Sequence, residues 1–141
     1  MLDIFDNLCI LLAKAEQKHY LYTKRALEEA GLEITPGQLI VLYALYRGDG
    51  IPITELGKKV FLDNSTLTGL IDRLERSGLV FRKGAPEDRR SYYIYLTEKA
   101  FGIQNKIMST AADIQREMTA GCTDEEITVF KKVLLNIFSR L

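Results

Sequence analysis

An excess of positive charge is the first thing this sequence lacks. Its 19 basic side chains are matched by 19 acidic ones, so a nucleic-acid partner would have to be met by local charge. One histidine and two cysteines, Cys9 and Cys122, leave no cluster at metal-ligand spacing and no disulfide framework. There is no phosphate-cradling glycine-rich loop, and nothing places a Ser, His and Asp together. These absences argue against an enzyme and predict neither metal nor cofactor. No apolar run approaches the roughly 18 residues that span a bilayer. The opening stretch MLDIFDNLCILLAKAEQK has no basic n-region and carries two Asp before its apolar part, which predicts a helix, not a leader, and a cytoplasmic protein. In that compartment a structural disulfide is disfavoured.

What is present is ordinary for a globular chain: 47% apolar and 27% charged residues over 141 positions, enough for one domain with a sizeable core. Residues 2–30 read as one long helix, with Leu8, Leu12, Ala15, His19, Tyr22 and Ala26 at helical spacing and Gly31 as the stop. Thr35, Pro36 and Gln38 form a capping box for a second helix, whose stripe is Leu39, Leu42, Tyr43 and Tyr46. A short third helix carries Ile53, Leu56 and Val60. Asp63 or Asn64 caps a fourth, with Leu67, Leu70, Ile71 and Leu74 on one face and Gly78 just past its end. Residues 79–83 and 91–96 then read as strands joined by a polar turn with Gly and Pro. Two amphipathic helices complete the chain, the last opened by Thr123 and Glu126 as a capping box. The fold class is mainly α with a small β-wing. Residues 35–99 form a winged helix-turn-helix, and residues 1–34 and 100–141 form flanking dimerisation helices within a single domain.

The fourth helix presents Ser65, Thr66, Thr68, Gly69, Arg73 and Arg76 opposite its apolar stripe. Small hydroxyl residues at its start suit close approach to base edges, and the arginines farther along suit phosphates. Residues 57–94 hold eight basic against five acidic groups, so the local positive charge falls on this region. At the wing tip Asp88 stands beside Arg89 and Arg90, and arginine suits the narrow minor groove.

The stretch LDNSTLTGLIDRLERSGLVFRKGAPEDRRSYYIYLTEKA, residues 62–100, resembles the MarR family of regulators. Asp63, Ser65, Thr66, Thr68, Ile71, Asp72, Arg73, Leu74, Glu75, Gly78, Leu79, Val80 and Arg82 fit its recognition helix, and Asp88, Arg90, Leu96 and Thr97 fit its wing and the start of the next helix. Gly69 departs from the pattern, since many members carry a larger or basic residue there. The resemblance implies a two-fold dimer, a pseudo-palindromic duplex operator, a recognition helix in the major groove, and Arg90 in the minor groove oriented by Asp88. It implies a repressor released by a small aromatic or phenolic effector, held in a cleft for which His19, Tyr20, Tyr22, Tyr43 and Tyr46 are the candidates. Core packing is the other reading of these aromatics. Within the family, Asn7-Leu8-Cys9 resembles the organic-hydroperoxide sensors, so Cys9 is either a redox switch or a small packed hydrophobe. Thr35 stands where those sensors place a tyrosine. A winged helix that binds protein instead of DNA is the alternative that charge neutrality leaves open.

Overall fold

A computed structural model describes residues 3–85 and 87–141, and of Asp3, Asp88, Arg89 and Arg90 the backbone alone. The order is α1 (Leu8–Glu29), α2 (Pro36–Tyr46), β1 (Ile51–Pro52), α3 (Ile53–Val60), α4 (Asn64–Arg76), β2 (Val80–Ala85), β3 (Asp88–Leu96), α5 (Glu98–Gly102), α6 (Gln104–Met118) and α7 (Asp124–Arg140). The strands form an antiparallel sheet in the order β1-β3-β2.

Local chemistry sets most of these boundaries. The Thr35 hydroxyl accepts from the Gln38 amide at 3.2 Å, and the Gln38 carboxamide accepts from the Thr35 amide at 2.8 Å, closing the expected box. The Asp63 carboxylate accepts from the Thr66 amide at 2.7 Å and starts α4. That hydrogen bond leads in holding its pKa below the usual carboxylate range. Gly78 follows α4 at φ +75°, the left-handed position that favours glycine, and the Leu79 amide donates back to the Leu74 carbonyl at 2.9 Å.

Elsewhere the structure corrects the expectation. The first long helix begins at Leu8, and residue 2, where it was expected to start, lies outside the described residues. A 3₁₀ turn covers Asp3–Asp6, and the extended Asn7 caps α1 by accepting from the Cys9 and Ile10 amides at 2.9 and 3.1 Å. The hairpin is longer than expected, because cross-strand pairing continues to Ala85 opposite Asp88 with an irregularity at Gly84/Ala85. Ile51 pairs with Ile94 in a third strand that is too short for an alternating pattern to reveal. Thr97 caps the short α5, and the chain bends at Ile103 before α6.

The core lies beneath the helix-turn-helix, where Leu42, Leu45, Leu56, Leu67, Ile71, Leu74 and Ile94 are fully buried. The ends of the chain are covered far less. Along α1 only Thr23 and Leu27 are buried, and Leu8 is 78% exposed. No residue of α7 is buried. Two local features carry predictions. Gly50 sits at φ +70°, where a Cβ would stand 2.8 Å from the Tyr95 ring. Gly50→Ala should therefore lower unfolding free energy by about 2 kcal/mol in urea titration, and an unchanged midpoint would contradict this. Asp63 has a depressed folded pKa, so its contribution to stability is full above the ordinary carboxylate range and is lost as pH falls through the folded value. Asp63→Asn still caps but does not titrate. Its urea midpoint should fall less than the wild type's between about pH 5 and pH 2, and parallel curves would count against the cap.

Candidate nucleic-acid interface

Burial of Leu67, Ile71 and Leu74 fixes the rotation of α4 and turns its polar side outward. Ser65, Thr66 and Thr68 are exposed there, Gly69 is partly exposed, and Arg73 and Arg76 are exposed in the later turns. The Ser65 hydroxyl donates to the Asp63 cap at 3.0 Å, which orients it while leaving its lone pairs free. Arg73 bends back along the helix, its Nε donating to the Gly69 carbonyl at 3.2 Å. A Cβ at Gly69 would meet the Arg73 guanidinium at 3.3 Å, so the missing side chain gives that arginine its room. Neither Arg73 nor Arg76 has a carboxylate partner among the described residues.

Arg82 has a role that the sequence alone did not reveal. Counted there only among the basic groups and as part of the family pattern, it reaches from β2 to the flank of α4, with one guanidinium nitrogen 2.5 Å from Asp72 and another 2.8 Å from Glu75. Burial opposes its charge, but the hydrogen bond to Asp72 and the charge of Glu75 outweigh that and raise its pKa. The fork neutralises two carboxylates beside the polar face and joins the root of the wing to the recognition helix. No spacing rule marks a pair 10 residues apart across a helix–strand junction. Toward the wing tip, the Tyr93 hydroxyl donates to the Glu87 carboxylate, which raises the tyrosine's pKa. The wing residues proposed from the sequence, Asp88, Arg89 and Arg90, are placed on β3 by their backbone, and their side chains lie outside the described residues.

The five aromatic and histidine candidates do not converge in the single chain. His19 lines a cavity of about 190 Å³ with Thr23 of α1, Leu39 of α2, and Ile114, Gln115 and Met118 of α6. Tyr43 faces a separate groove with Arg47, Lys59, Phe61 and Phe138. Phe61 ends α3 in the left-handed region at φ 55°, and its ring packs 4.8 Å from that of Phe138. The Tyr46 hydroxyl donates to the Ala100 carbonyl at 2.5 Å and ties α2 to α5, while burial raises its pKa. Tyr20 and Tyr22 are exposed. Cys9 is exposed in the first turn of α1, and Cys122 is exposed beyond α6. Sequence reasoning missed Thr23 and Gln115, because each is a polar residue beside the apolar positions of its helix and belongs to no motif.

Comparison with known proteins agrees with this geometry. Residues 34–92 match the model of the MarR family. The chain is 38% identical over 104 residues to YsmB of Bacillus subtilis (strain 168), an uncharacterized HTH-type transcriptional regulator, covering 74% of this chain and 71% of that one. Its fold superposes on the PcaV transcriptional regulator from Streptomyces coelicolor, solved with its natural ligand, with a TM-score of 0.86 and 25% identity over 99% of this chain and 97% of that one. A mutant MarR from E. coli complexed with operator DNA gives a TM-score of 0.83 at 27% identity, with 92% of each chain covered. The helix order, the outward polar face of α4 and these likenesses agree, and the chain belongs to the MarR family of transcriptional regulators.

Proposed function

We propose that this chain is a cytoplasmic homodimeric repressor that binds a pseudo-palindromic operator in duplex DNA and releases it when a small aromatic effector binds. The observation that carries this reading is the outward face of α4, with small hydroxyls at its start and two arginines farther along that meet no carboxylate among the described residues. Ser65, Thr66 and Thr68 reach base edges in the major groove, where Gly69 permits close approach. Arg73 and Arg76 hold phosphates. Arg90 enters the minor groove, with Asp88 holding it extended and Arg89 on the adjacent backbone. The likeness to a MarR protein solved on operator DNA supports the same assignment.

Dimerisation follows from the uncovered apolar surface of α1 and α7. A two-fold pair presents two copies of α4 to half-sites whose centres lie about one helical turn, roughly 10 bp, apart. The effector is assigned to the cavity beside His19, where α1 and α6 meet α2. A molecule lodged there bears on the joint between the dimerisation helices and the DNA-binding part. It shifts the operator-binding arrangement only by its difference in affinity for the two states. The likeness to PcaV, a regulator solved with its natural ligand, supports a regulator that responds to a ligand.

Fluorescence anisotropy on a duplex selected by the protein from a random pool tests the reading. Wild-type affinity should fall steeply with salt. Arg76→Ala should weaken all duplexes about equally and reduce the salt slope by about one unit, whereas Arg90→Ala should weaken the selected duplex about tenfold. Salt-independent binding, or two variants indistinguishable from wild type, would overturn it.

A further inference from the structure

Gly69 sits in the middle of α4, in ordinary helical backbone. A glycine there weakens a helix relative to alanine, because it gives up more backbone freedom on folding. Packing accounts for the glycines of α2 and α3. A Cβ at Gly37 would press on the Leu70 side chain and one at Gly57 on the Leu62 carbonyl, each at 3.3 Å. No core atom stands so close to Gly69. Among the described residues, and apart from its chain neighbours and its own helix backbone, the Arg73 guanidinium alone lies within 4 Å of a Cβ there, at 3.3 Å.

What the glycine leaves open is a seat on the outward side of α4. Ser65, Gly69 and Arg76 follow one another at helical spacing opposite the buried Leu67, Ile71 and Leu74. Arg73, one turn on from Gly69, bends back until its Nε donates to the Gly69 carbonyl at 3.2 Å. Its guanidinium therefore stands where a side chain at position 69 would stand, one turn nearer the start of the helix than its own Cα. The turn before carries Ser65 and Thr66. In a helix lying in the major groove, the residues toward its N-terminus meet base edges. Among the described residues no carboxylate pairs with this guanidinium. With Nε on the carbonyl, the two terminal nitrogens keep a parallel pair of N–H groups, the fork that matches O6 and N7 of guanine.

We propose that Arg73 reads a guanine from the seat that Gly69 leaves open, so that Gly69 is a positioning residue for sequence recognition. The proposal rests on the reading of α4 as the DNA-recognition helix and deepens it: on the selected operator Arg73 turns from phosphate to base, and Arg76 keeps the phosphate. Fluorescence anisotropy tests it with the selected duplex and with duplexes in which each G·C pair is replaced in turn by A·T in both half-sites. One such replacement should weaken the wild type at least about tenfold. Arg73→Ala should bind that duplex and the original equally and keep its preferences at the other pairs. Arg73→Lys keeps the charge but not the fork, and should lose the same preference. Gly69→Leu fills the seat with a good helix former, so its thermal midpoint should be no lower than the wild type's while the preference at that pair is gone. In the Arg73→Ala background Gly69→Leu should leave the remaining preferences unchanged.

Arg73→Ala weakening every duplex equally, with the salt slope reduced by about one unit, would place Arg73 on phosphate; it would overturn the proposal and leave α4 as the recognition helix. Arg73→Ala with unchanged affinity for every duplex, or Gly69→Leu with the full preference retained, would overturn it as well. A wild-type protein that prefers no duplex over another would sink the reading of α4 and the proposal with it.

Discussion

The 17 residues of α7 form a capped helix that buries none of its own side chains, although Val129, Phe130, Val133, Leu135 and Phe138 lie along it. A helix of that length is marginal in water by itself, and most helical stability in proteins comes from packing an apolar face. Leu8, Ile10, Leu11 and Leu12 near the start of α1 are exposed in the same way. Burying one such side chain fully contributes about 1.5–3 kcal/mol. Association costs on the order of 4–15 kcal/mol, so a handful of these residues from each of two copies is enough to outweigh it. On the proposed reading the terminal helices are surfaces for a second copy, and the placement of the two α4 helices depends on their being covered.

Between those ends and the polar face of α4 the chain is stitched by a few specific bonds. Tyr46 joins α2 to α5 through the Ala100 carbonyl. Asp49 accepts from the Leu96 amide at 2.9 Å, and the Gly50 amide donates to the Ile94 carbonyl at 2.7 Å, fixing the link after α2 to β3. Arg82 pairs with Asp72 and Glu75, which ties the wing strand β2 to α4. In the proposed dimer a change in how the copies pack reorients each α4, and the cavity beside His19 and Thr23 lies where α1 and α6 meet α2.

The parts of this design that were legible in the sequence are those with local causes. Thr35 with Gln38, Asp63 and Thr123 with Glu126 marked helix starts because a side chain within three residues satisfies the first free amides. Gly78 marked a stop because the chain turns left-handed there. Leu67, Ile71 and Leu74 revealed the rotation of α4, and with it the residues that face outward. What escaped was non-local or too short. Arg82 meets Asp72 only after the chain has reversed, and Tyr46 reaches a carbonyl 54 residues away. Strand β1 has two residues, and Asn7 took the cap that an unbroken apolar pattern placed nearer residue 2. The stripe of α1 named a buried face, but the single chain leaves most of it exposed, because periodicity shows that a face is apolar without saying what covers it.

Sedimentation equilibrium of the isolated protein at micromolar concentration tests that covering most directly. A particle of twice the 16.0 kDa chain mass is the predicted result. A stable 16.0 kDa monomer that keeps α1 and α7 folded would contradict it.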